Sequence, residues 1–250
     1  MTDRPYAIVT GASRGIGAAI ALLLAKDRYD VVVNYASDEA AAKRTAEQIA
    51  RLGLRALPIQ TDVSRENEVL NMFATADREF GRLAVLVNNA AITGGLATVA
   101  DVNADAITRM LAVNVTGSIL CSREAVRRMS TRNGGHGGVI LNISSVAART
   151  GAAGEWVPYA ASKGAINTFT VGLAREVATE GIRVNAVAPG LIETDLHANN
   201  GVPDRVARLT PTIPMNRGGK PEEVAEAVRW LVSPAASYVT GTILEVGGGR

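Results

Sequence analysis

The 250-residue chain has one cysteine and two histidines. A lone cysteine excludes an intrachain disulfide and fits a reducing compartment. So few soft ligands leave no basis for a metal site, and none is expected. Aromatic residues are scarce, with two Trp, five Tyr and three Phe, so small and aliphatic side chains must do most of the packing. Neither charge is in excess: 26 Lys and Arg stand against 24 Asp and Glu. That balance argues against nucleic acid or an anionic membrane as partner. The longest apolar helical run, Ala18–Ala25, is far too short to cross a bilayer. The first residues run from Met1 to Pro5 into an apolar strand without the pattern of a secretory signal. A cytoplasmic protein is expected.

What is abundant is apolar and small. Apolar residues make up 47% of the chain and charged residues 20%, which excludes a disordered polymer. Short β-branched runs predict strands at Tyr6–Thr10, Asp30–Asn34, Arg55–Gln60, Ala84–Asn88, Gly138–Ser144, Arg183–Ala188 and Thr242–Val246. Most are continuous apolar runs, such as Val31-Val32-Val33, which is the pattern of parallel strands covered on both faces. Helices are predicted between them: Ile16–Lys26, Glu39–Leu52, a segment capped by Ser64 and ending at Phe80, Ala104–Met129 capped by Asn103, Pro158–Glu180 and Pro221–Leu231.

Strand and helix alternate from end to end. Right-handed crossovers then place helices on both faces of one parallel sheet. The expected fold is α/β, a doubly wound seven-stranded parallel sheet in a single domain over residues 1–250. Two stretches stand outside the alternation. Arg132–Gly138 is a Gly-rich loop, and residues 191–220 form a long excursion over one edge of the sheet.

Thr10-Gly11-Ala12-Ser13-Arg14-Gly15-Ile16-Gly17 follows the first strand and opens the first helix. Glycines there permit a tight turn and close approach of backbone to a pyrophosphate, and the helix N-terminus adds donors. The spacing is T-G-x-x-x-G-x-G, which resembles the classical short-chain dehydrogenase/reductase family. Further motifs follow in that family's order: Asp62-Val63, Asn88-Asn89-Ala90, Asn114 within Val113–Gly117, Ser144-Ser145, Tyr159-Ala160-Ala161-Ser162-Lys163, Pro189-Gly190 with Ile192 and Thr194, and Tyr238–Gly241. The resemblance runs from about residue 5 to residue 249. It implies a Rossmann fold and hydride exchange between a nicotinamide and a carbonyl or secondary alcohol of a small-molecule substrate.

The residues support that chemistry on their own terms. Tyr159 and Lys163, four apart, share one helix face. A free Tyr has a pKa of about 10, and an adjacent ammonium lowers it, so Tyr159 is a candidate general acid and base. Ser145 is the candidate to polarise the substrate oxygen, with Ser144 as the alternative. Asn114 is a poor helix former inside a predicted helix; the resemblance implies that it orders a water beside Lys163. The catalytic set is thus Asn114, Ser145, Tyr159 and Lys163. The resemblance assigns the cofactor to Gly11, Ser13, Arg14, Gly15, Ile16 and Gly17 in the loop. It adds Asn34, Tyr35 and Ser37 after the second strand, and Asp62, Val63, Asn89 and Ala90. Tyr159 and Lys163 serve here too, with Pro189, Gly190, Ile192 and Thr194 near the carboxamide.

Tyr35 stands where NAD-specific members carry an acid, and Arg14 is placed to pair with a 2′-phosphate. NADP(H) is therefore expected over NAD(H). The Ser145–Tyr159 spacing is one residue longer than the family's usual pattern, which the Ala147–Val157 loop absorbs. That loop brings Arg149, Glu155 and Trp156 toward the substrate. Ala91 replaces a usual Gly, and Gly247 a frequent Asp. Cys121 reads as packing, and His136 and His197 carry no assigned role.

The substrate stays open. The chain is similar to 3-oxoacyl-carrier-protein reductases and to glucose dehydrogenases alike. Glu180 and His136 occupy places where carrier-docking members carry basic residues, which weakens the carrier-protein reading. The alternative class is a non-catalytic dinucleotide sensor of the same fold, but such proteins lose the Tyr or the Lys, and both are present here. Small and apolar residues on several faces of two long helices (Ala112, Val115, Ile119, Ala165, Phe169, Leu173) predict cover on both sides, and the resemblance implies that these helices pair across a two-fold axis in a homotetramer.

Overall fold

The computed structural model describes residues 4–194, 202 and 204–250; His197 and part of the excursion lie outside them. The elements follow in chain order as β1 (Tyr6–Val9), α1 (Gly15–Lys26), β2 (Asp30–Tyr35), α2 (Glu39–Arg51), β3 (Ala56–Gln60), α3 (Glu66–Glu79), β4 (Leu83–Asn88), α4 (Ala104–Leu111) and α5 (Ser118–Met129). Then come β5 (Gly138–Ile143), α6 (Ala147–Thr150), α7 (Val157–Val177), β6 (Ile182–Pro189), α8 (Arg205–Leu209), α9 (Pro221–Val232) and β7 (Ile243–Val246). All seven strands lie in one sheet, in the order β3-β2-β1-β4-β5-β6-β7, and every pairing is parallel. The doubly wound sheet expected from the sequence is what forms.

Apolar strands supply side chains to both faces. Val31 and Val33 of β2 point into one core with Ile20 and Leu24 of α1 and Val228 of α9. Val32, one residue out of phase, enters the other core with Phe73 of α3 and Met129 of α5. Burial of β1, β2 and β4 is complete along their length, as two-sided cover requires. The strand order reverses between β1 and β4. In such sheets that switch point opens a crevice at the C-terminal strand ends.

Three local expectations are corrected. Ser64 does not cap α3: its hydroxyl donates to Asp62 Oδ1 at 2.7 Å, and the helix starts at Glu66. The predicted helix Ala104–Met129 is not continuous. Asn103 does cap its start, accepting from Asp105 N at 2.7 Å, but Ala112–Gly117 winds as a π-helix. That segment, Ala-Val-Asn-Val-Thr-Gly, concentrates β-branched residues, Asn and Gly, all weak α-helix formers. Gly117 also lies against β3's exit: a Cβ there would come within 2.7 Å of Val63 Cγ2. Finally, α7 ends at Val177, and Ala178–Glu180 closes as a 3₁₀ turn before Gly181. The excursion after β6 is anchored at its ends by a parallel bridge between Ile192 and Gly219.

Candidate active site

The crevice at the switch point starts from Thr10. Its hydroxyl accepts from the backbone N–H groups of Asn89 and Ala90, at 2.9 and 3.0 Å. Asn89 reaches back, donating from Nδ2 to Thr10 O and Gly11 O at 2.9 and 3.0 Å. The exits of β1 and β4 are thereby sewn together. Gly11 and Gly15 adopt φ of 63° and 57°, which other residues reach only with strain. The start of α1 has no side-chain cap, and no acidic residue lies in its first turn. Open backbone donors with a positive dipole end suit a pyrophosphate. The glycine backbone leaves the close approach that such a group needs, so the residues present fit a dinucleotide.

A cavity of about 470 Å³ follows from this loop toward β5 and α7. All of the residues expected to meet the cofactor line it, from Gly11 and Arg14 to Ile192 and Thr194, together with Ser145. Asn34 lines it as a scaffold: its side chain accepts from Gly11 N at 3.0 Å and donates to Thr61 O at 3.2 Å. Tyr35 is largely buried, packed into the core beside α1 and α2.

At the far end, Tyr159 and Lys163 share one face of α7, with Lys163 Nζ 5.6 Å from the Tyr159 ring centroid. Lys163 Nζ donates to Ile143 O at 2.7 Å, and burial pulls its pKa down to about 8. Burial pushes Tyr159 up to about 12, opposed by a hydrogen bond from Ser145 and by the charge of Arg205. The expectation that Lys163 depresses the Tyr159 pKa is thus corrected. Desolvation dominates, and the ammonium is directed away, to Ile143 O at the end of β5. At neutral pH Tyr159 is a phenol, with a proton to give.

The two serines separate cleanly. Ser144 Oγ is buried and donates to Asn167 Oδ1 at 2.6 Å, fastening β5 to α7. Ser145 Oγ accepts from Ala147 N at 3.1 Å, which leaves its proton for the Tyr159 oxygen. Asn114 does not line the cavity. Its Oδ1 accepts from Ile92 N at 2.9 Å, and its Nδ2 donates to Ile92 O at 2.9 Å and to Ser162 Oγ at 3.0 Å. The π-helical turn thus delivers an Asn whose side chain clamps the loop after β4 onto α7.

Sequence reasoning missed three polar neighbours. Arg109 of α4 lines the cavity and donates to Asp62 Oδ2 at 2.8 Å. Burial works against the Asp62 charge, but Ser64 and Arg109 together hold its carboxyl below the usual range. Asp38 also lines the cavity, 3.9 Å from Arg14 Nη1, while capping α2 through Ala41 N at 2.9 Å. Arg205 of α8 stacks over Trp156, 4.2 Å from its ring centroid. Only Asp38 carried a signal, as an N-cap residue before a helix.

Comparison with known proteins agrees with this geometry. The family model described as enoyl-(acyl carrier protein) reductase matches residues 11–250. The chain belongs to the classical short-chain dehydrogenase/reductase family. It is 53% identical to the uncharacterized oxidoreductase YgfF of Escherichia coli K12, over 98% of this chain and 99% of that one. It is 43% identical to glucose 1-dehydrogenase 2 of Bacillus subtilis 168, over 97% and 93% of the two chains. A Burkholderia cenocepacia short-chain dehydrogenase in complex with NADP superposes with TM-score 0.89 at 35% identity, covering 98% and 97%. A 7α-hydroxysteroid dehydrogenase complexed with NADH superposes with TM-score 0.91 at 34% identity, covering 99% and 94%. This short-chain enzyme is therefore a dinucleotide-dependent oxidoreductase acting between carbonyls and alcohols.

Proposed function

We propose that Tyr159 is the proton donor and acceptor of this reductase, that Ser145 polarises the substrate oxygen, and that NADP(H) is the preferred cofactor of one domain spanning residues 1–250. The observation that carries the reading is the convergence of Ser145, Tyr159 and Lys163 at one end of the cavity. The glycine loop lies at its other end.

A bound nicotinamide supplies or accepts the hydride. The chain's own groups do the rest. The glycine loop and the α1 N-terminus hold the pyrophosphate; Arg14 and Ser37 meet the 2′-phosphate; Ile192 and Thr194 face the nicotinamide end. The Ser145 hydroxyl donates to the substrate carbonyl and concentrates charge on its oxygen. The neutral Tyr159 phenol gives its proton to that oxygen as negative charge develops. Lys163, on the same helix face and held by Ile143 O, binds the cofactor ribose. Asn114 fixes α7 against the loop after β4 and so holds Tyr159 in place.

Two further features belong to this reading. The outer faces of α5 and α7 keep Ile119 41% exposed and leave Ala165 exposed, which supports a homotetramer built on those helices. Light scattering then gives four chains, and a concentration-independent monomer overturns it. No helix among the described residues is long and apolar enough to cross a membrane; a cytoplasmic location belongs to the same reading and rests on the lone, buried and unpaired Cys121, which fits a reducing compartment.

The test is Tyr159→Phe beside Lys163→Ala. Losing general acid–base catalysis lowers turnover about 10²–10⁴-fold. NADPH affinity, read by fluorescence titration, stays near wild type in Tyr159→Phe and falls in Lys163→Ala. Near-wild-type turnover in Tyr159→Phe defeats the mechanism.

A further inference from the structure

Arg205 is charged, yet only 7% exposed. One face of its guanidinium lies on the Trp156 ring, and Nη2 donates to Glu155 Oε2. Nε is buried and has no hydrogen-bond partner among the described residues. Glu155 is shared with Arg208 at 3.3 Å. Trp156 in turn meets Tyr159 edge-on, with ring centroids 6.3 Å apart. A buried cation, an indole and the candidate catalytic phenol are thus stacked in series. The indole lies in van der Waals contact with the cation and at aromatic packing distance from the phenol. The peptide carrying Glu155 and Trp156 is set by a strained turn, Gly151-Ala152, with Ala152 at φ 47°. Ala152 O then accepts from both Glu155 N and Trp156 N.

An isolated buried cation is costly. One carboxylate, shared between two arginines, only partly offsets Arg205. Arg250 faces the same cluster: burial first and Arg205 second weaken its basicity, with Glu155 opposing. The charged groups facing Tyr159 are therefore Lys163 on its own helix and the Arg205–Glu155 pair with Arg208 and Arg250 beyond it, while Ser145 after β5 adds a neutral donor.

We propose that Arg205, seated on Trp156 and restrained by Glu155, is a positioning residue that tunes how readily the Tyr159 hydroxyl ionises. It acts from outside the cofactor cleft: it does not line that cavity, and nothing in the T-G-x-x-x-G-x-G or Tyr-x-x-x-Lys motifs points to it. The inference rests on Tyr159 being the proton-transferring group. It adds that the pH range of turnover is set partly by an ion pair lying across the substrate side of α7.

The legs of 4.2 Å and 6.3 Å limit how far the cation lies from the phenol ring. At about 10 Å and an effective dielectric of about 20, one full charge moves a titration by about one pH unit. Partial compensation by Glu155 leaves about half of that. Signs differ between the partners. Arg205→Met removes the cation and disfavours phenolate. Glu155→Gln strips its counterion and favours phenolate. Arg205→Lys keeps a charge and sits between Arg205→Met and wild type.

The experiment uses the cofactor-free protein labelled with [ζ-¹³C]tyrosine, the Tyr159 resonance being assigned by its loss in Tyr159→Phe. At a fixed alkaline pH below the Tyr159 midpoint the phenolate fraction falls about tenfold in Arg205→Met, which loses the full charge, and rises about threefold in Glu155→Gln. The alkaline limb of the oxidative rate shifts in the same two directions. Glu155→Gln is a partly exposed substitution, so it carries the test even if Arg205→Met folds poorly. Shifts in the same direction for both, or none in Glu155→Gln, overturn the proposal. That failure is distinguishable from failure of the catalytic reading, which shows as retained turnover in Tyr159→Phe whatever the resonances do.

Discussion

Gly17→Ala sets a local preference against a tertiary contact. Gly17 lies in the first turn of α1 and is buried. Helix propensity alone favours Ala over Gly by about 1 kcal/mol, and one more buried methyl adds about 0.8 kcal/mol. The contact argues the other way. A Cβ at residue 17 would lie 2.4 Å from Gly11 O and 2.5 Å from Asn89 Nδ2. Neither atom has a free rotamer to escape to. Gly11 O is backbone, and Asn89 Nδ2 is held by Thr10 O at 2.9 Å and Gly11 O at 3.0 Å. Overpacking of this kind costs about 1–3 kcal/mol, and each of two strained hydrogen bonds about 0.5–1.5 kcal/mol. The balance is a net loss of up to about 4 kcal/mol. Urea denaturation should show a lowered midpoint at unchanged slope, with NADPH affinity down at least about tenfold because the displaced peptide belongs to the loop proposed to hold the pyrophosphate. A variant as stable as wild type with unchanged affinity would refute the steric argument.

Ser145→Ala should lower turnover about 10²-fold or more, whereas Ser144→Ala, losing its bonds to Asn167 Oδ1 and Lys163 O at 2.6 and 3.3 Å, should keep most turnover and lose about 1–3 kcal/mol of stability. Arg14→Ala should weaken NADPH about 10–100-fold and leave NADH nearly unchanged. Asp38→Asn keeps the α2 cap but removes a like charge from the 2′-phosphate, and should tighten NADPH several-fold in the same titration. Glu124 is 3% exposed and bonds Arg123, Arg127 and Arg128 at 3.1, 2.8 and 2.9 Å. Burial opposes its charge, but the Arg128 and Arg123 hydrogen bonds win and hold the carboxyl below its usual range. A depressed carboxyl contributes stability above the unfolded-state value of about 4.3 and loses it as pH falls. Glu124→Gln should therefore cost about 3 kcal/mol at pH 7 and flatten the acid side of the stability curve, read by thermal melts from neutral to acid pH.

The elements legible in the sequence are those whose signal is local. β2 and β4 are near-continuous apolar runs, and such runs have one comfortable place, between two helical layers. Their observed bounds differ from the predicted ones by a single residue. The glycine loop and the Tyr159–Lys163 pair are also local, since turn geometry and helical spacing bring their parts together without help from the rest of the chain. What escaped depends on partners far along the chain. The π-helical turn at Asn114 needs Val63 and Ile92 to explain it. Ser64 is a good cap by type, but its hydroxyl donates to Asp62 and its oxygen accepts from Arg109 instead. Arg205 has no pattern around it; only the fold brings it onto Trp156.

Buried asparagines show how the sheet transmits position to the site. Asn88 and Asn142 are register partners across β4 and β5, and Asn88 Nδ2 donates to Asn142 Oδ1 at 2.9 Å. Asn88 Nδ2 also reaches Ser122 Oγ of α5 at 2.9 Å. Asn142 Nδ2 continues to Thr170 Oγ1 of α7 at 2.9 Å. Apolar strands alone specify which face is inward, but runs covered on both faces tolerate a slip better than alternating ones. A polar pair does not: moving one partner by a residue leaves amide groups buried without bonds, at about 1–3 kcal/mol each. The chain Ser122–Asn88–Asn142–Thr170 therefore pins two strands and two helices in one register. Directly beyond it lie Asn89, which ties the glycine loop, and Ser144 and Ser145, which meet α7. Carbonyl reduction requires the cofactor to face the substrate carbon and the phenol the oxygen of the same carbonyl, with reacting atoms within about 3–3.5 Å. Cofactor loop and phenol sit on different elements, and this polar line through the core is what holds those elements to a common register.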